Sequence, residues 1–286
     1  MKIAVLGAAG QLGRDLVPQL PGEVVSLSRD DIDLAQPGTA LAVLEAIRPD
    51  WVVNCAAYNF VDKAESEPHV AFAVNAWGVR ALALVCDTIG ARLVHFSTDY
   101  VFGQDTTRAL PWSEAEAPGP ISVYGLSKLT GEQFVQMTNP QHLVIRTCGL
   151  YGVWGTGGKG GNFVETMLRV AGQGKPLRVV SDQRCTPSFT ADVAAATVQL
   201  MEAEATGLHH LTNGGDCSWF EFARTIFSLS GMTVDLTAIP SKEYPTPAKR
   251  PSFSVLDCSR LIRSGIVMRN WQEALAAYLD ERTRRA

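Results

Sequence analysis

Tyr124 and Lys128 stand four residues apart in Tyr124-Gly125-Leu126-Ser127-Lys128, a spacing that places both side chains on one face of a helix. A phenol with a pKa near ~10 is a poor acid or base at neutral pH, but a neighbouring ammonium favours phenolate and lowers that value. Such a group can hand a proton to a developing alkoxide while hydride arrives from elsewhere. Tyr and Lys at this spacing also occur on many solvated helices, so the pair gains meaning only from its company. The segment that carries it follows a Pro-rich, acidic loop, Pro111 to Pro120, and reads as a helix from Tyr124 to Met137.

Three further segments bear chemistry. The run Gly7-Ala8-Ala9-Gly10-Gln11-Leu12-Gly13 follows an apolar strand at Lys2 to Leu6. Glycines there permit a tight strand-to-helix turn and close approach of backbone to a pyrophosphate, so Gly7, Gly10, Gln11, Leu12 and Gly13 are expected to bind a dinucleotide. The second strand ends on Ser26-Leu27-Ser28-Arg29-Asp30-Asp31. An arginine ahead of the acids suits a ribose 2′-phosphate, which favours NADP(H), with NAD(H) as the alternative. The fourth strand ends on Ser97-Thr98-Asp99-Tyr100. There Thr98 can hydrogen-bond a substrate oxygen beside Tyr124, or Ser97 or Thr98 can simply cap the following turn. Asp99 either contacts substrate or holds that loop in shape. Asn54 sits at the mouth of the third strand, near the expected cofactor cleft. Asn75 lies inside an apolar helix and either ties helix to strand or touches a ligand. Asp62-Lys63-Ala64-Glu65 reads as a solvated helix start or as cleft lining. His95 reads as a satisfied core imidazole, and His209-His210 lack neighbours at metal spacing, so no metal site is expected.

The elements that must position these groups alternate strand and helix. Strands are expected at Lys2–Leu6, Val24–Leu27, Trp51–Ala57, Arg92–Phe96 and His142–Arg146, with helices between them, including a long one from Val70 to Ile89. That alternation predicts an α/β fold, a Rossmann-type doubly wound parallel sheet, with ligands beyond the carboxyl ends of the strands. Gly149 to Gly161 carries seven glycines and reads as a mobile loop. Helices at Phe163–Ala171, Trp219–Leu229 and Asn270–Leu279 and a strand at Leu177–Val180 build a smaller C-terminal α/β substrate-binding lobe. Residues 1–150 are therefore expected to form an NADP(H)-binding Rossmann domain to which 189–205 return, and 151–188 with 206–286 the lobe.

Composition narrows the function class. A hydrophobic share of 46%, a charged share of 19% and a net charge of -4 describe an ordinary globular protein and argue against nucleic acid as partner. No apolar run reads as a membrane span, and Met1 to Leu6 reads as a strand and not as a signal. Six scattered cysteines without a Cys-x-x-Cys pair fit reduced thiols and a cytoplasmic location.

Gly-x-x-Gly-x-x-Gly, Ser-Thr-Asp and Tyr-x-x-x-Lys together resemble the extended short-chain dehydrogenase/reductase family. Asn54-Cys55-Ala56-Ala57-Tyr58, Val61-Asp62-Lys63-Ala64-Glu65, Ser97-Thr98-Asp99-Tyr100-Val101-Phe102, Asn162-Phe163 and Tyr244-Pro245-Thr246-Pro247 before Arg250-Pro251 narrow the resemblance to the dTDP-4-dehydrorhamnose reductases. The resemblance implies NADPH-dependent reduction of the 4-keto group of dTDP-4-dehydro-L-rhamnose, with a dTDP-sugar pocket between sheet and lobe. It implies that Tyr124 gives the proton, Lys128 holds the nicotinamide ribose and Thr98 polarises the keto oxygen. Ala56, Ala57, Tyr58, Asn75 and Ser97 join the cofactor contacts; Asp99, Asn162 and Arg250 join the substrate contacts, Arg250 as a guanidinium fork on the diphosphate. One departure stands out: relatives carry a tryptophan after the Arg-Thr of the fifth strand, where this chain has Gly149, and Trp154 is the candidate stand-in. Some members use a metal-bridged dimer; Asp15 could match one ligand but Ala191 offers no partner, so no bridge is expected, for a monomer or homodimer. The alternatives are another nucleotide-sugar 4-ketoreductase or epimerase on this fold, or a non-catalytic NADP(H)-binding regulatory subunit like the methionine adenosyltransferase beta subunit.

Overall fold

Short apolar runs bounded by glycine, proline or polar turns become the strands of one sheet. In the computed structural model, which describes residues 1–154 and 161–285, these are β1 (Lys2–Leu6), β2 (Glu23–Leu27), β3 (Trp51–Asn54), β4 (Arg92–Thr98) and β5 (Leu143–Thr147). Between them run α1 (Gln11–Leu16), α2 (Ala40–Ile47), α3 (Val61–Ala64), α4 (Pro68–Phe72), α5 (Gly78–Ile89) and α6 (Val123–Thr138). The remainder supplies β6 (Leu150–Tyr151), α7 (Phe163–Ala171), β7 (Leu177–Val180), β8 (Arg184–Cys185), β9 (Ser188–Phe189) and α8 (Thr190–Glu202). After these come β10 (Gly207–His210), β11 (Cys217–Ser218), α9 (Trp219–Leu229), β12 (Leu236–Ile239), α10 (Ser259–Arg263) and α11 (Trp271–Arg285).

The sheet order is β10-β5-β4-β3-β1-β2, and every pairing in it is parallel. The chain reverses direction across the sheet between β1 and β3, and a crevice opens there beyond the strand ends. Both faces are covered, which is why the strands are apolar throughout instead of alternating. Ile3, Val5, Val53, Val94 and Ile145 pack with Leu12 and Leu16 of α1, Val193 and Leu200 of α8 and Leu261 of α10. Ala4, Leu6, Val52, Leu93 and Val144 pack with Leu44 of α2 and Val79 and Leu82 of α5. Each such buried Val, Leu or Ile side chain is worth about 1.5–3 kcal/mol. A separate core joins the lobe, with Tyr151, Phe189, Phe222, Trp271 and Tyr278 clustered around α9 and α11.

The structure corrects the reading in four places. Gly207–His210 is expected with 206–286 in the lobe, but β10 pairs with β5 and extends the main sheet, with Leu261 and Ile266 on the same core. Its two histidines conceal a strand whose other backbone edge meets the Glu114 carboxylate, which accepts from His210 N at 3.0 Å. Pro68–Ile89 does reach the length and apolarity of a membrane span, at mean hydropathy 1.5. It is a core helix nonetheless, with Val79, Leu82, Ala83 and Cys86 buried against the sheet. The expected end of the last helix at Leu279 moves to Arg285, because Arg282 pairs with Glu165 at 2.7 Å and Arg285 with Glu281 at 2.7 Å. Finally, the expected loop Gly149–Gly161 begins with β6, which pairs with β9; residues 155–160 of it lie outside the described residues.

Helix α6 is set against the sheet by several devices. Ser122 caps it, its hydroxyl accepting from Gly125 N at 3.1 Å, and the Glu65 carboxylate accepts from Val123 N at 2.9 Å. A Cβ at Gly125 would stand 2.2 Å from the Tyr100 carbonyl oxygen, so only glycine lets the helix lie this close to the end of β4. That approach brings Tyr124 next to Thr98.

Candidate active site

A cleft of about 790 Å³ opens beyond the carboxyl ends of β1, β3, β4 and β5. Gly10, Gln11, Leu12 and Gly13 form one wall, Ala56 and Ala57 the next, and Ser97, Thr98, Asp99, Tyr124 and Lys128 the floor. Asn162, Phe163, Thr166 and Trp219 face them from the lobe. The three glycines divide their work. A Cβ on Gly13 would come 2.4 Å from Gly7 O and 2.7 Å from Ala8 Cα, and one on Gly7 2.8 Å from Ala56 N. Both therefore hold strand, turn and helix together, and Gly7 is absent from the cleft wall. Gly10 instead offers its backbone to the cleft, and α1 starts behind it with no side-chain cap on its first amides. This cradle fits a dinucleotide pyrophosphate.

On the floor, the Tyr124 hydroxyl has two polar partners among the described residues. It meets Asn59 Oδ1 at 3.4 Å and the hydroxyl of Thr98. Lys128 is fully buried and donates from Nζ to the Phe96 carbonyl at 2.6 Å. Burial pushes the Lys128 ammonium down to about 8, against the opposing pull of Glu132 one turn on. The expectation that this ammonium lowers the phenol is not met: burial pushes Tyr124 up, the Thr98 hydrogen bond opposing and the Asp99 charge adding. Desolvation dominates here because the phenol lies in the wall between Ala64, Ala71 and Tyr100.

The remaining candidates divide into those that reach the cleft and those that support it. Ser97 lines it but donates to Glu132, which also grips Arg146. Asp99 lines it with both oxygens engaged, Oδ1 by Thr98 at 3.1 Å and Oδ2 by Ser254 at 2.5 Å. Asn54 accepts from Ala56 N at 3.0 Å and meets His95 Nδ1 at 3.2 Å. His95 is not the fully satisfied imidazole expected, since its Nε2 finds no partner among the described residues. Asn75, in a π-helical turn between α4 and α5, accepts from Tyr58 N at 2.9 Å and donates to Tyr58 O at 3.0 Å and Ser127 Oγ at 3.1 Å. Asn75 and Tyr58 thus fix the loop after β3 to helix α6 and stand behind the cleft wall. Arg29 is also away from it, its exposed guanidinium donating to Asp33 at 3.0 and 3.1 Å. Arg250 grips Asp62 at 2.8 and 3.1 Å together with the Thr246 hydroxyl, and is not in the wall. Asn162 caps α7 and donates to Gln11 Oε1 at 3.1 Å, linking lobe to glycine loop.

Trp154, the candidate stand-in for the missing tryptophan, lines the cleft and is held there by its neighbours. Its indole N–H donates to Asp15 Oδ1 at 2.8 Å, and its ring lies between the guanidinium groups of Arg14 and Arg285 at 5.3 and 4.2 Å. Asp15 also accepts from Thr190 at 2.5 Å; among the described residues no acidic, His and Cys group could hold a metal. Gly149 has φ 52°, a left-handed conformation that tryptophan rarely adopts. Sequence reasoning missed Asn59, Cys148, Phe163 and Trp219, all in the cleft wall. Asn59 directly follows the Asn54-Cys55-Ala56-Ala57-Tyr58 motif, one residue beyond its end. Phe163 and Trp219 begin helices and read as core; their rings pack at 4.7 Å.

Comparison with known proteins agrees with this architecture. The model of the RmlD substrate binding domain matches residues 1–284. A dTDP-4-dehydrorhamnose reductase of Sinorhizobium fredii is 40% identical over 288 residues, covering 96% of this chain and 95% of its own. The spore coat polysaccharide biosynthesis protein SpsK of Bacillus subtilis is 39% identical, with 99% and 98% covered. Among solved structures, a dTDP-4-dehydrorhamnose reductase of Bacillus anthracis in complex with NADP superposes with a TM-score of 0.92 at 36% identity, over 98% of this chain and 99% of that one. Matched from end to end and carrying the glycine cradle, Thr98, Tyr124 and Lys128 around one cleft, the chain belongs to the RmlD substrate binding domain family.

Proposed function

We propose that this protein reduces the 4-keto group of dTDP-4-dehydro-L-rhamnose with NADPH, giving dTDP-L-rhamnose. The observation that carries the reading is the convergence of Thr98, Tyr124 and Lys128 on one floor, opposite a glycine cradle and below a lobe of aromatic and amide side chains. NADPH, when bound, supplies the hydride. Tyr124 gives its phenolic proton to the oxygen that becomes the alcohol, and Thr98 orients that oxygen by hydrogen bonding. Lys128 adds a buried positive charge that favours electron density on the reacting oxygen and holds the ribose. Gly10, Gln11, Leu12, Ala56 and Ala57 would hold the dinucleotide, with Arg29 turning from Asp33 to the 2′-phosphate. Asn162 and the aromatic pair Phe163 and Trp219 would receive the dTDP-sugar, and Arg250 its diphosphate once it releases Asp62. Six free cysteines support work in a reducing cytoplasm.

The test is NADPH oxidation on adding dTDP-4-dehydro-L-rhamnose, with the product sugar identified by NMR. dTDP-L-rhamnose is the expected product. The C4 epimer would keep the hydride chemistry and reassign the sugar face. NADPH binding without turnover would favour a regulatory subunit.

A further inference from the structure

The Tyr124 hydroxyl donates to Asn59 Oδ1 at 3.4 Å, and both residues belong to the cleft wall. Asn59 is exposed there, and this is the one hydrogen bond its side chain makes among the described residues. Its place is fixed from behind. Asn75 clamps Tyr58, the residue before it, accepting from Tyr58 N at 2.9 Å and donating to Tyr58 O at 3.0 Å. Asn75 also donates to Ser127 Oγ at 3.1 Å, and Ser127 donates to the Tyr124 carbonyl at 2.8 Å. The loop after β3 is thus tied to the same turn of α6 that carries Tyr124, which sets the spacing of amide and phenol.

Resting on the function proposed above, we propose that Asn59 is a specificity-determining residue that reads the hydroxyl on the carbon beside the ketone, C3 of the sugar. A phenol has a single proton to donate, and in the reduction it must turn from Asn59 to the ketone oxygen. Asn59 Oδ1 then lacks its donor, in a cleft from which the sugar displaces water, and an acceptor left unpaired there is costly.

The substrate itself supplies the replacement. A hydroxyl next to a ketone lies one hydrogen-bond length from the carbonyl oxygen, so a ketone seated on Tyr124 brings that hydroxyl within reach of Asn59. Its O–H takes the place of the phenol on Oδ1. The other neighbour of the ketone, C5, carries a methyl group and the ring oxygen and has no proton to offer. The C3 edge of the sugar therefore faces the loop after β3, and the favoured substrates are α-hydroxy ketones.

The probes are dTDP-4-dehydro-L-rhamnose and its 3-deoxy counterpart, each assayed with NADPH. The wild type is expected to favour the hydroxylated ketone by about 10–100-fold in kcat/KM. Asn59→Leu keeps the volume but neither donates nor accepts. It is expected to cut that preference by about tenfold, acting on the hydroxylated ketone and leaving the 3-deoxy ketone and NADPH affinity within about twofold. The inductive pull of the hydroxyl on the carbonyl is the same in both proteins, so the change in preference isolates the contact. Equal kcat/KM of the wild type for the two ketones would overturn the assignment. So would a loss in Asn59→Leu shared by both ketones, which would make Asn59 a support for Tyr124. No turnover of either ketone by the wild type would instead overturn the functional reading, and the assignment with it.

Discussion

Glu132 and Arg146 form a bidentate ion pair, with contacts of 2.7, 3.0 and 3.1 Å, and both side chains are almost wholly withdrawn from solvent. Glu132 sits one turn after Lys128 on α6, Arg146 near the end of β5, and Ser97 of β4 donates to the same carboxylate. Three elements are therefore locked together directly behind the floor of the cleft. Removing one partner leaves a buried charge uncompensated, so Arg146→Met should destabilise the fold by about 3–5 kcal/mol. Urea denaturation checks this, and a loss under about 1 kcal/mol would mean that water reaches the pair.

Tyr124→Phe removes only the hydroxyl and leaves the ring packed against Tyr100, where the centroids are 5.8 Å apart. Turnover should fall by about 10²–10⁴, while the NADPH dissociation constant stays within about twofold. Equal loss of both would give Tyr124 a structural role.

Lys128 titrates at about 8 in the folded protein, against 10.5 for an ordinary lysine. The folded state thus binds fewer protons than the unfolded one between these values. Its stability contribution is fully present above 10.5 and is lost as pH falls toward 8. Activity runs the other way, because the ammonium disappears as pH rises through about 8. A pH profile of kcat/KM should show an alkaline limb there, and Lys128→Met should abolish that limb along with most of the activity.

Arg29 is 78% exposed in its side chain and pairs with Asp33 at 3.0 Å, an exposed pair worth less than about 1 kcal/mol. A 2′-phosphate can therefore recruit it. Arg29→Ala should raise KM for NADPH by about tenfold and leave that for NADH unchanged; an unaltered ratio would remove Arg29 from phosphate recognition.

Gly13→Ala would force a Cβ to 2.4 Å from Gly7 O, against backbone that cannot yield without opening the turn. The variant should lose stability and NADPH binding together. Gly10→Ala, whose Cβ would meet Gly7 O at 3.1 Å and no other atom within 4 Å, should keep the fold and lose affinity alone. Calorimetric titration with NADPH alongside thermal melts separates the two.

The chain alone determined what depends on local periodicity and spacing. Apolar runs fixed β1 to β5, glycine spacing fixed the turn after β1, and the four-residue interval fixed Tyr124 and Lys128 on one helical face. These are short-range relations, and neither packing nor distant charge alters them. Tertiary structure decided everything that needs a partner far along the chain. It joined β10 to the sheet through β5, more than sixty residues earlier; it turned Arg250 toward Asp62 and bound Trp154 to Asp15. It also reversed the expected direction for the Tyr124 phenol, because desolvation depends on every element packed around a group. A sequence shows which residues could act, and only the packed structure sets the charge each one carries.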